Sequence, residues 1–145
     1  MARRFLVAVL FLVSLGLPLA AQTVAFKSGD AGLDGTLNSL NLQAKADLGS
    51  FTVQLSADYG VKQSQLQVWL SAEKLQPAEL YLVLELGRIA GKPPAAVIEV
   101  YKQNKGKGWG ATARAMGIKP GSAEFKALKA GAAARDKKLK AKKKK

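Results

Sequence analysis

Residues 40–60 read LNLQAKADLGSFTVQLSADYG, and the stretch is compatible with two structures. Leu40, Leu42, Ala44, Ala46 and Leu48 alternate with polar residues, and Phe51, Val53, Leu55, Ala57 and Tyr59 alternate again after Gly49-Ser50. That is the period of a strand, and the pair would make a β-hairpin. Leu48, Phe51, Leu55 and Tyr59 also form a stripe at offsets of 3, 7 and 11, with Asp47 placed to cap a helix and Gly60 to end it. The surroundings favour the helix. A lone hairpin needs a surface to pack on, and every clear signal downstream is helical. We therefore expect a helix over 48–59, with a hairpin over 40–59 as the competing reading. The expected fold class is all-α, a small bundle of short helices joined by Gly turns.

The downstream signals are local and chemical. Ser64 is placed to cap a helix holding Leu66, Trp69 and Leu70. Pro77 stands at a first helical position before AELYLVLELGRIA, and Gly91 closes that run. Leu80, Val83 and Leu84, with Tyr81 and Leu82 beside them, make it apolar all round, the pattern of a central core helix. Pro94 opens AAVIEVYKQN, Trp109 to Met116 reads as a short helix closed by Gly117, and Ser122 is placed to cap AEFKALKA. Three times a helix stops at glycine and a short turn leads into the next: at Gly60, Gly91 and Gly117. Helix-turn-helix modules use this grammar, and so does any small helical bundle, because glycine reaches positive φ cheaply.

Upstream, the chain opens Met-Ala-Arg3-Arg4 and continues with an apolar run from Phe5 to Leu15, broken by Gly16 and Pro18 and followed by Ala20 and Ala21. Charged, apolar, then small is the order of a secretory signal peptide. Cleavage is expected after Ala21. The apolar run is shorter than the roughly 20 residues of a membrane span. Residues 22–36 contain three glycines and two aspartates and read as a flexible leader. The expected domains are then a signal peptide over 1–21, the leader over 22–36, a helical domain over 37–131 and a lysine-rich tail over 132–145. A periplasmic or secreted bacterial protein fits this layout. With no cysteine in 145 residues, packing alone must stabilise it.

Charge is split along the chain. Residues 22–100 carry six basic and eight acidic side chains, whereas 101–145 carry fifteen and two, a net of +13. Lys137, Lys138, Lys140, Lys142, Lys143, Lys144 and Lys145 crowd the end. Such a block repels itself, is expected to be disordered, and suits polyanions. No aromatic residue interleaves with these lysines, so base stacking is not indicated.

A second basic element lies in YKQNKGKGWGATARAMGIKPGS, residues 101–122. Gly106, Gly108 and Ala111 match the letters of a dinucleotide-binding fingerprint, but a helix rather than a strand precedes them, and no G-K-[ST] follows. A looser anion site is the functional expectation. The N–H groups of Gly108, Trp109 and Gly110 would open a helix, and Lys105 and Lys107 would add charge. Alternatively, the glycines simply reverse the chain and Trp109 packs into the core.

The chain has no histidine and no cysteine, which removes the usual zinc ligands and the commonest general base near neutral pH. Asp30, Gly32, Asp34 and Gly35 faintly resemble the start of a calcium loop, but its twelfth position is Asn41 rather than a bidentate Glu. Glu73, Glu79, Glu85 and Glu99 are spread along helices and read as solvent-facing. No catalytic residue, metal or cofactor is expected.

KGKGWG, followed by GIKPGS and then Phe125 and Leu128, resembles a C-terminal module of small uncharacterised exported bacterial proteins. The resemblance spans roughly residues 78–130 and is looser before that. It implies a secreted helical protein without catalytic residues. In that pattern a histidine often follows the phenylalanine; Lys126 stands here, so no imidazole role transfers. The functional expectation is a non-enzymatic exported protein that binds anionic lipid, lipopolysaccharide or acidic polymer through its basic tail and Gly/Lys loop. The alternatives are a nucleic-acid-binding protein with a helix-turn-helix-like core, or a folding helper that takes a protein partner.

Overall fold

The structure, a computed structural model, describes residues 23–145; the expected signal peptide lies outside them. Seven helices and no strand occur among the described residues: α1 (Ala31–Ala46), α2 (Leu48–Tyr59), α3 (Gln63–Ala72), α4 (Pro77–Ala90), α5 (Pro94–Gln103), α6 (Trp109–Ala115) and α7 (Ala123–Lys142). The chain is an all-α bundle, as its pattern implies.

The 40–60 stretch resolves into the end of α1 and all of α2. Asp47 ends the first and caps the second, its carboxylate accepting from the Ser50 N–H at 3.1 Å. Gly60 ends α2 in the left-handed region at φ 66°, where a side chain would be strained. The period is helical throughout. Leu40, Ala44, Phe51 and Leu55 are fully buried, while Leu42 and Val53, which the hairpin would place on the same face as their neighbours in the alternation, are half exposed. The hairpin reading is therefore set aside.

α4 is the centre. Every residue from Pro77 to Gly87 is buried, and burial of each large apolar side chain there contributes roughly 1.5–3 kcal/mol. α1, α2, α3, α5 and α7 all pack against it. α3 starts one residue before Ser64, and no side chain caps it.

Two expectations are corrected. The leader is not loose: Asp30 caps α1 by accepting from the Leu33 N–H at 2.8 Å, and Phe26 is buried in the core. The tail expected to be disordered from residue 132 is helix through Lys142, with Ala132, Asp136 and Leu139 buried. Two factors oppose the self-repulsion of its lysines. Leu139 contributes apolar burial, and the Asp136 carboxylate accepts from Ser39 of α1 at 2.8 Å and pairs with Lys140 at 2.6 Å. α7 runs parallel to α1, since Lys129 meets Asp30 near one end and Leu139 and Lys142 lie beside Gln43 and Asp47 near the other.

Candidate functional site

Among the described residues three places bring chemistry-bearing residues together, and the Gly/Lys loop is the first. Two of its three expected backbone donors are already used. The Trp109 N–H donates to the Phe26 carbonyl at 2.8 Å, and the Gly110 N–H donates to the Lys27 carbonyl at 2.9 Å. The N-terminal segment 24–28 thus lies where an anion was expected. The glycines are there for its approach. A Cβ on Gly108, whose φ is 88°, would sit 2.3 Å from the Lys27 Cβ, and one on Gly110 would sit 2.6 Å from the Ser28 carbonyl oxygen. Trp109 is buried and stacks on Tyr101 with centroids 4.4 Å apart, and its Nε1–H donates to Glu79 at 3.2 Å. Tyr101 also donates to Glu79, at 2.9 Å, and burial, with the Glu79 charge, pushes its hydroxyl up to about 12. The loop is a clamp for the N-terminal segment. Lys105 and Lys107 stay exposed at its rim, whereas Trp109 and Gly110 have no N–H left for a ligand.

The second place is the end of α7. Lys137, Lys138, Lys140, Lys142, Lys143, Lys144 and Lys145 are all exposed. Lys140 is paired with Asp136, and Lys142 donates to the Ser50 hydroxyl at 3.0 Å. The loop clamps residues that precede α1, and this end lies beside residues that follow it. α1 has 16 residues, so about 24 Å of helix separates the two basic stretches. They do not form one site.

The third place was missed in the sequence because it depends on burying two glutamates. Glu79 and Glu85 are 8% and 4% exposed, not solvent-facing. A lone carboxylate at such a depth is costly, and each has a full set of partners. Glu85 accepts from Tyr59 at 2.6 Å and from Arg88 through two bonds at 3.0 and 2.6 Å. Burial by itself would raise its pKa; the Arg88 and Tyr59 hydrogen bonds outweigh it and hold Glu85 below its ordinary value. The Arg88 guanidinium is correspondingly held protonated, chiefly by that hydrogen bond. Burial pushes the Tyr59 and Tyr81 hydroxyls far up. Arg135 of α7 reaches over both tyrosine rings, 6.0 and 5.8 Å from their centroids, and pairs with Asp58 at 2.7 Å. Gly131 lets α7 come this close, since a Cβ there would lie 2.9 Å from the Tyr81 hydroxyl. The sequence signal that could have found this cluster is the phase of Glu85, one turn from Tyr81 and Leu82 on a helix apolar all round.

Above the cluster opens a cleft of about 290 Å³ between the ends of α2 and α4 and the start of α5. Among the described residues no three His, Cys, Asp or Glu side chains gather as a metal site, and no helix is long and apolar enough to cross a membrane. Comparison of the chain with protein-family models, with curated proteins and with solved structures finds no match in any of the three.

Proposed function

We propose that the protein is an exported, non-enzymatic binder of anionic surfaces, and that the lysine-rich end of α7 makes the contact. The observation that carries this reading is a cluster of exposed lysines on a helix whose other side is anchored by Leu139 and Asp136. Anchoring lowers the entropic cost of contact, because the charges are already arrayed. Each lysine near an anionic bilayer contributes about 1 kcal/mol. The outward residues of α7 between the lysines are small: Ala127, Ala130, Ala134 and Ala141. The large exposed apolar residues, Leu42, Leu48, Val53 and Val68, lie on α1–α3. No wedge accompanies the charges on α7, so the contact is electrostatic, reversible and sensitive to salt. Anionic lipid, lipopolysaccharide and acidic polymer share the required chemistry.

The test is co-sedimentation of the full chain with vesicles containing anionic lipid, at low and at physiological salt. Replacing Lys137, Lys138, Lys142, Lys143, Lys144 and Lys145 by Gln is expected to weaken binding at least about tenfold and to flatten the salt dependence. Substitution is preferable to truncation, which would also remove Leu139 from the core. Undiminished binding by the substituted chain would rule out the α7 end. Parallel titrations with lipopolysaccharide and with heparin rank the three ligand sources.

A further inference from the structure

The cleft at the junction of α2, α4 and α5 has features of a small-molecule site. Val61, Leu84 and Pro94 give it an apolar lining, and Arg88 and Lys92 stand in its wall. The Arg88 guanidinium is held from behind, and the Lys92 backbone is fixed beside it. Arg88 commits Nε and Nη2 to Glu85, so the planar guanidinium cannot turn, and its side chain is still 58% exposed. Lys92 is set by the backbone. Its N–H donates to the Gly87 carbonyl at 2.8 Å, and its own carbonyl would lie 2.7 Å from a Cβ on Gly87, so only glycine lets the turn fold onto α4.

Charge balance suggests what the cleft would hold. Arg88, Arg135 and Lys92 face Asp58 and Glu85, which leaves one positive charge in the group. Lys92 supplies it, because among the described residues Lys92 pairs with no carboxylate, whereas Arg88 pairs with Glu85 and Arg135 with Asp58. A single anionic group beside Lys92 and the outer edge of Arg88 would neutralise the cleft, and an apolar body would cover Val61 and Pro94, with Leu84 at the floor. At roughly 30 Å³ per atom, water's share of its own liquid, the volume suits about ten non-hydrogen atoms. We propose that this cleft binds a small amphipathic monocarboxylate, its carboxylate between Lys92 and Arg88 and its apolar body on Val61, Leu84 and Pro94. Specificity would come from the fixed Arg88 guanidinium and the Lys92 charge beside it, and affinity from the apolar area withdrawn from water. The site is separate from the α7 end, and neither proposal depends on the other.

Benzoate and octanoate are the probes, with benzyl alcohol and benzylamine as neutral and cationic controls, titrated into the full-length chain and followed by backbone amide shifts. The expected result is saturable movement at Tyr59–Val61 and Arg88–Lys92 with the carboxylates and not with the controls. Lys92→Gln is expected to weaken benzoate binding about five- to tenfold, and Val61→Asp to abolish it. Both replacements lie outside the Glu85 network, and unchanged spectra elsewhere would show that each variant is folded. The proposal is overturned if the shifts gather on residues 137–145, if benzylamine moves the same amides, or if Lys92→Gln leaves the affinity unchanged.

Discussion

Two lysine-rich stretches stand at opposite ends of α1, and they differ in what their polar groups meet. In Lys105–Gly110 two of the donors that would greet an anion, the Trp109 and Gly110 N–H groups, are spent on the carbonyls of Phe26 and Lys27. Those carbonyl oxygens carry partial negative charge and fill the same electrostatic role a ligand would have filled. In Lys137–Lys145 the backbone is closed on itself as helix, and the side-chain charges project outward. Similar composition therefore serves tertiary closure in one place and surface chemistry in the other. What separates them is glycine. Gly108 and Gly110 admit a second segment of backbone at contact distance, and nothing comparable interrupts the last turns of α7.

The largest effect that tests this contrast is expected at the clamp. Gly108→Ala places a methyl against the Lys27 Cβ and carbonyl at a φ of 88°, and the combined clash and backbone strain should cost about 3 kcal/mol or more. Urea denaturation measures it, and a cost under about 1 kcal/mol would mean the N-terminal segment is not clamped. Next comes Leu139→Ala. It removes a side chain only 8% exposed and is expected to cost about 2 kcal/mol. Hydrogen exchange should rise over 136–142 while binding to anionic vesicles weakens only modestly, since the charges remain but are less well arrayed. If vesicle binding collapses instead, helical order in the α7 end matters more than its charge.

The Glu85 network should cost somewhat less when cut. Glu85→Gln is expected to destabilise by about 1–2 kcal/mol, through weakened charge-assisted bonds to Arg88 and Tyr59. The accompanying pH dependence has a definite sign. The folded-state pKa of Glu85 lies below its ordinary 4.5, so this contribution is complete above that value and is lost as pH falls through the lower, folded-state value. Glu85→Gln should flatten the acid limb of the stability profile, and an unaltered limb would show that the network contributes nothing. The smallest effect belongs to Lys105→Gln with Lys107→Gln. Both side chains are exposed and unpaired among the described residues, so stability should change by under about 0.5 kcal/mol, and vesicle binding should barely move. A clear loss of binding would restore the loop as an anion site.

Much of the helical layout was legible before any coordinates. Asp47, Gly60, Pro77, Gly91, Pro94 and Ser122 start or stop helices by local chemistry: a side-chain oxygen that caps, a ring that pre-sets φ, a missing Cβ that permits the left-handed region. The burial of α4 was legible too, because it is apolar on every side. The candidate sites were far less so. The clamp joins residues about 80 positions apart, and Ser39 meets Asp136 across 97. Nothing in KGKGWG states that the chain's own beginning will occupy it, and nothing in KKLKAKKKK states that Leu139 will find a core.

The amino-acid order alone therefore determined where helices begin and end, which helix is central, and that no histidine or cysteine is there to ligate zinc or act as a thiol. These follow from interactions within a few residues or from composition. Tertiary structure decided which charges are buried, which loop is already filled and which lysines stay free. Those outcomes depend on what a distant segment brings into contact, and the energy of a polar group is set by the partner it meets and not by its neighbours in the chain.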